Sequence, residues 1–256
     1  MFDLTGKRAL VTGSTQGIGY AIAKQLAECG AEVYIHGSAD TEKARRAAAR
    51  LAEELSLCDS EDCDRIKFVT GDLSEVDTVA HIFAKTGEVD IVVANASVQI
   101  RREWSRISDE EYELQMDVNL RSTLKLMQAY IPAMRKRGYG RFLAIGSVQE
   151  RKPHKQMAVY AASKCAIKSL VENVAAQVAA DGVTVNMIAP GVILTPRNET
   201  ALADAEYREK VLSSIPAGYE GEPRDIAAAA LLFCSDEGRY VTGAELFIDG
   251  GMALGG

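Results

Sequence analysis

Histidine is the scarcest chemistry-bearing residue in this chain, with three in 256 residues. His36, His81 and His154 fit no zinc spacing such as H-E-x-x-H, so a histidine-held metal centre is not expected. Cysteine is sparse too. Cys29, Cys58, Cys63, Cys165 and Cys234 contain no C-x-x-C pair and are odd in number, which argues against a disulfide framework. Only Cys58 and Cys63 are close enough to consider for a metal, and their segment is acidic and lacks histidine. There is no signal-peptide pattern at the N-terminus, so reduced thiols and a cytoplasmic location are expected. No apolar run reaches the length of a membrane span. Basic charge is also in deficit: the formal charge is −7, the reverse of what a nucleic-acid partner would call for. The densest basic run, RKRGYGR from Arg135 to Arg141, reads as the solvated end of a helix. Linkers, repeats and low-complexity segments are missing as well, which leaves one domain over residues 1–256.

What is present is ordinary globular material, 47% apolar and 25% charged, enough for a large core. Strand and helix patterns alternate. Arg8 to Thr12 reads as a strand, Gly13, Gly17 and Gly19 as a turn, and Ile18, Ile22, Leu26 and Ala27 as a buried helical stripe. Val33 to His36 follows as a second strand. In such a βαβ unit the glycines fall where backbone must approach a pyrophosphate and a helix N-terminus must face it. Ile66 to Thr70, Val89 to Ala94, Phe142 to Ile145 and Val183 to Ile188 continue the strand series. Ser74-x-x-Asp77 and Ser108-x-x-Glu111 read as helix caps, the second opening a long helix to about Arg137. The fold class is therefore α/β: a single-domain doubly wound parallel sheet, Rossmann-like, with helices on both faces.

Tyr160 and Lys164 lie four apart in a helical run and so share a face, about 6 Å apart along the axis. Bringing a phenol from about pH 10 to about pH 7 costs roughly 4 kcal/mol. An ammonium about 5 Å away at an effective dielectric of about 20 supplies roughly 3 kcal/mol of that. The pair is expected to poise Tyr160 as a general acid/base for an alcohol oxygen, a second positive charge supplying the remainder. Spacing alone is weak, because Tyr20 and Lys24 repeat it; that pair reads as plain helix surface. Ser147 makes the difference, at the end of the apolar run RFLAIGS and ahead of Tyr160, whereas Lys7 holds the equivalent place before Tyr20.

Taken together, TGSTQGIG (12 to 19), GDLS (71 to 74), ANAS (94 to 97), Asn119 in DVNLRS, Ser147, Tyr160-x-x-x-Lys164 and Pro190-Gly191 resemble the short-chain dehydrogenase/reductase family over nearly the whole chain. The resemblance implies an NAD(P)-dependent oxidoreductase interconverting a secondary alcohol and a ketone. Its catalytic residues would be Asn119, Ser147, Tyr160 and Lys164, with Asn119 maintaining a water in a proton relay. The cofactor would be held by Gly13, Ser14, Thr15, Gln16, Gly17, Ile18 and Gly19, by Gly37 and Ser38, by Asp72 and Leu73, and by Asn95, Ala96 and Ser97. Pro190, Gly191, Ile193 and Thr195, together with Ile188, would line the nicotinamide pocket beside Tyr160 and Lys164. Ser97 departs from the family's usual glycine and narrows the room beside the cofactor. The second strand ends His36-Gly37-Ser38 with no acid before Asp40, which favours NADP over NAD.

The substrate loops carry Ile100, Arg101, Arg102 and Trp104, then Gln149, Arg151 and His154, and suit an anion. A sugar acid or polyol and a 3-oxoacyl thioester are both open as substrates. Residues 192–220, with a helical stretch at 198 to 214, are expected to form a flap. A homodimer or homotetramer paired through the long helices is expected, with no nucleic-acid or membrane partner. The alternative is a nucleotide-binding sensor or scaffold without turnover.

Overall fold

The computed structural model describes residues 2–38, 41–57 and 63–254; Asp40 and Cys58 lie outside them. Chain order is β1 (Arg8–Val11), α1 (Gly17–Glu28), β2 (Glu32–Gly37), α2 (Thr41–Glu54), β3 (Ile66–Thr70), α3 (Thr78–Thr86), β4 (Ile91–Ala94) and α4 (Asp109–Met116). It continues with α5 (Ser122–Arg137), β5 (Gly140–Ile145), α6 (Ala158–Val178), β6 (Val183–Pro190), α7 (Pro196–Leu202), α8 (Ala205–Ser213), α9 (Pro223–Cys234) and β7 (Glu245–Ile248).

Among the described residues, seven strands form one parallel sheet in the order β3-β2-β1-β4-β5-β6-β7. Successive side chains of a strand point to opposite faces, and here both faces are buried. Ala9 and Val11 pack with Ile22, Leu26, Leu51 and Ile226 of α1, α2 and α9. Leu10, between them, packs with Ile82, Leu126 and Ile167 of α3, α5 and α6. Strand order reverses at β1, which pairs with β2 on one side and β4 on the other, Val11 lying opposite Val93. Connections leave in opposite directions there, so a crevice opens beyond the carboxyl ends of β1 and β4. That crevice holds the candidate site.

Three local expectations change. Ser74 does not cap a helix: its N–H and hydroxyl both donate to Asp72 Oδ1, and α3 starts only at Thr78 with no side-chain cap. The short Asp–Ser turn competes with helix initiation and wins because it is more local. The long helix begins at the Ser108–Glu111 capping box as expected, but a π-turn at Asp117–Arg121 separates α4 from α5. Arg141, read as part of a solvated basic end, is buried in β5 and bonds Ser235 O, Gly140 O and Asp236.

Candidate active site

The floor of the crevice is the turn between β1 and α1. Gly13 and Gly17 have positive φ, and a Cβ on Gly13 would lie 2.8 Å from Ala96 Cα. A Cβ on Gly19 would meet Asn95 Nδ2 at 2.4 Å. Only glycine permits this approach of two loops. Asn95 fastens them, Nδ2 donating to Thr12 O and Gly13 O at 2.9 and 3.0 Å. Gln16 caps α1 without a side-chain bond, so the first N–H groups of the helix face the crevice. His36, at the end of β2, braces the turn from beneath. Its Nδ1 accepts the Gly13 N–H at 3.1 Å, which leaves Nε2 to carry the proton and donate to Gly71 O at 3.1 Å. Burial pushes this imidazole down to about 4, so it is neutral.

The crevice continues as one cleft of about 1030 Å³. Its lining includes Gly13, Thr15, Gln16, Gly17, Ile18, Gly19, Gly37, Ser38, Asp72, Leu73, Asn95, Ala96, Ser97, Ser147, Tyr160, Lys164, Pro190, Gly191, Ile193 and Thr195, so most of the expected residues converge. Ser14 does not belong to it. Its side chain is fully buried, its hydroxyl donates to Val11 O and accepts the His36 N–H, and its own N–H donates to His36 O. It ties β1 to β2 and has no donor left for a ligand. Ile188 likewise faces the core rather than the cleft, because it falls on the helix-covered side of β6.

At the reacting end, Ser147 sits just past β5 in extended conformation. Its hydroxyl accepts the Gln149 N–H at 3.2 Å, while Glu150 Oε1 accepts the Ser147 N–H at 2.8 Å. Tyr160 and Lys164 lie on the buried face of α6. Lys164 Nζ donates to Ile145 O at 2.7 Å and stands 5.6 Å from the Tyr160 ring centroid. Burial works against the simple Coulomb expectation for this pair. Burial raises Tyr160 above its ordinary value, opposed by the charge of Arg197 and by hydrogen bonding to Ser147 and Ser97. Burial also pushes Lys164 down to about 7, with Arg197 adding to the effect and Glu150 opposing it. Desolvation disfavours both charged forms, so the lysine has itself surrendered part of the charge it was to lend.

Asn119 lies in the π-turn but not on the cleft surface. Its Oδ1 accepts the Val98 N–H at 2.8 Å, and Nδ2 donates to Val98 O and Ser163 Oγ, each at 3.0 Å. The side chain thus clamps the loop after β4 to α6. Tyr20 and Lys24 are a surface pair, both bound to Glu54.

Of the expected anion-binding residues, Arg101, Gln149 and His154 line the cleft. Arg102 is paired with Glu111, and Arg151 with Glu245 while stacked over Phe247. Trp104 is exposed at 74% and contributes nothing to the wall. Sequence reasoning missed Lys152, Lys155, Arg197 and Lys210, all of which line the cleft. His154 is held below its ordinary value by burial and by Arg101 and Lys155. Among the described residues no metal-binding cluster occurs, and no helix is long and apolar enough to cross a membrane.

Comparison with known proteins agrees with this geometry. A family profile described as enoyl-(acyl carrier protein) reductase matches residues 13–253. The chain is 36% identical to the 3-oxoacyl-[acyl-carrier-protein] reductase of Haemophilus influenzae, over 98% of this chain and 100% of that one. It is 36% identical to 3beta-hydroxysteroid dehydrogenase 1 of Eggerthella lenta, over 98% and 95%. This chain belongs to the short-chain dehydrogenase/reductase family. It is an oxidoreductase that interconverts secondary alcohols and ketones with a nicotinamide cofactor, which sets aside the sensor or scaffold alternative. Among solved structures, a gluconate 5-dehydrogenase from Burkholderia cenocepacia in complex with NADP and tartrate superposes with a TM-score of 0.90, at 32% identity over 100% of this chain and 98% of that one. As in other members of the family, the seven-stranded parallel sheet carries the site at its carboxyl edge.

Proposed function

We propose that this enzyme uses NADP and acts on a sugar-acid substrate, with Tyr160 moving the proton. The dinucleotide fits the chain's own residues: Gly13 and Gly19, at positions where only glycine can pack against Ala96 and Asn95, bring the β1–α1 turn and the N-terminus of α1 to the cleft wall, where a pyrophosphate would lie. When bound, the nicotinamide supplies or accepts the hydride. Ser147 orients the substrate oxygen, Tyr160 gives or takes its proton, and Lys164 tunes Tyr160 from the same face of α6 while holding ribose hydroxyls. Asn119 acts as a positioning residue, and its proton-relay role remains part of this reading. At the end of β2, Gly37 and Ser38 line the cleft, and neither carries a carboxylate. That arrangement admits a 2′-phosphate and offers it the Ser38 hydroxyl.

The observation that carries the substrate class is the charge of the cleft wall. Asp72, under β3, is the only carboxylate lining it among the described residues, whereas Arg101, Lys152, Lys155 and Lys210 stand around the opposite end. On a chain of net charge −7 this concentration of cations selects an anion. A polyol would leave them unmatched. The 3-oxoacyl reading has its own support in the full-length likeness to the Haemophilus influenzae reductase. The whole chain works as one domain, with residues 192–220, including α7 and α8, as a flap over the substrate end. Assembly as a cytoplasmic homodimer or homotetramer through α4, α5 and α6 accords with the free thiols of Cys29, Cys165 and Cys234 and with the family. The test is a panel of sugar acids, polyols and 3-oxoacyl thioesters, followed as reduced-nicotinamide absorbance with NADP(H) and NAD(H). Turnover of thioesters without sugar acids would reverse the substrate assignment.

A further inference from the structure

Serine at position 97 adds one hydroxyl to a loop where the family has glycine, and Arg197 uses it. Nη1 of Arg197 donates to Ser97 Oγ at 3.0 Å, and Nη2 donates to Ser97 O at 2.6 Å. The start of α7 is thereby tied across the cleft to the loop after β4. Arg197 and the two oxygens of Ser97 form a short hydrogen-bonded chain across the cleft, which Tyr160 and Lys164 also line.

The charge balance of this chain is unusual. Both acceptors of Arg197 are neutral, and among the described residues it has no carboxylate partner. A guanidinium stays charged at any working pH, whereas Lys164 beside it is pushed down to about 7. The permanent positive charge at this end of the cleft is therefore Arg197, and the two bonds to Ser97 leave three of its five N–H donors for a carboxylate.

We propose that Arg197, seated on Ser97, is the specificity-determining residue for the substrate carboxylate, and that Ser97 is the positioning residue that holds it there. This inference rests on the oxidoreductase reading above and narrows it to one anchor. It also explains why serine is present: glycine would leave Arg197 with the main-chain oxygen alone.

The test titrates gluconate, its neutral counterpart glucitol, and the non-oxidisable dicarboxylate succinate into the enzyme–NADPH complex by calorimetry. With NADPH bound, gluconate forms a ternary complex that cannot transfer hydride, so binding is read without turnover. Arg197→Met should weaken gluconate and succinate by about 30-fold, the scale of a lost charge-assisted pair, and glucitol by less than about threefold. Arg197→Lys should recover carboxylate binding to within about tenfold of wild type, because charge returns without the fork. Ser97→Gly should weaken both carboxylates in the same direction as Arg197→Met while glucitol stays within about threefold, a charge-selective loss that a merely structural contact would not cause. Equal carboxylate binding by wild type and Arg197→Met overturns the proposal. So does a loss confined to NADPH affinity, which would make Arg197 a strap over the cofactor. If wild type binds both carboxylates through Arg197 yet does not oxidise gluconate, the sugar-acid reading fails and the anchor stands.

Discussion

Glu150 Oε1 accepts the backbone N–H of Ser147 at 2.8 Å, while its other oxygen is buried beside Glu245 with no hydrogen-bond donor among the described residues. Glu245 also keeps one oxygen unpaired, and gives the other to Lys168 at 2.8 Å and Arg151 at 3.6 Å. Two carboxyls so placed hold one proton between them. The cations favour charge on Glu245, and burial together with Glu245 pushes Glu150 up to about 8. Lys164 is the remaining cation acting on Glu150. The proton-bearing carboxyl behind Ser147 is thus part of the fold.

That arrangement has a signed consequence for stability. Between pH 4.5 and about 8 the folded chain keeps the Glu150 proton that the unfolded chain has lost, so stability falls as pH rises through that window. Glu150→Gln retains an acceptor for the Ser147 N–H and gives Glu245 a permanent donor. Melting temperatures should be close to wild type at pH 5 and higher than wild type by a few degrees at pH 8. Parallel pH curves for the two proteins would show that Glu150 is ionised in the native state.

Tyr160→Phe removes the proton donor and little else, since the ring is almost fully buried and the packing survives. Turnover should fall by at least about a hundredfold, the usual contribution of a positioned general acid. NADP affinity, measured by fluorescence of the bound reduced cofactor, should stay within about threefold. Near-normal turnover would remove Tyr160 from the chemistry.

The sequence displayed local relationships well and distant ones poorly. Gly13, Gly17 and Gly19 are readable because strand, turn and helix follow one another within a few residues, and Tyr160 and Lys164 because one helical turn joins them. Ser14 shows the limit: it sits inside the glycine turn, yet which way its hydroxyl points depends on His36, a strand away. Arg197 was invisible because its partner is one hundred residues earlier and no spacing rule links them. Charge separation sets the Tyr160–Lys164 attraction that the sequence shows. What it omits is burial, which depends on the surrounding sheet and helices and not on the interval between the two residues.

Cofactor choice is exposed to a direct test at Ser38. The site lies at the end of β2, where a carboxylate would bond a ribose 2′-hydroxyl and repel a 2′-phosphate. Ser38→Asp should raise the KM for NADP by about tenfold or more, the scale of a like-charge contact in place of a hydrogen bond. The KM for NAD should fall or hold. Unchanged NADP kinetics would place the 2′ group elsewhere.

His36 makes the cofactor cradle sensitive to acid. It can accept the Gly13 N–H only while Nδ1 is unprotonated, and protonation would put two N–H groups face to face. Its folded value, about 4, lies below its ordinary 6.5, so the stabilisation is fully present above pH 6.5. As pH falls from 6.5 through about 4, the unfolded chain takes up a proton that the folded chain refuses, and stability is lost. His36→Asn leaves a side-chain oxygen to accept from Gly13 but removes the titration. It should be less stable than wild type at pH 7, because the contact to Gly71 is weakened, and the gap should narrow toward pH 5 in urea-unfolding midpoints. NADP affinity in wild type should hold through most of that interval and weaken only as pH approaches about 4, where the folded imidazole itself takes up the proton. A gap that stays constant between pH 7 and pH 5 would mean that the imidazole titrates normally and that the cradle is braced by Asn95 alone.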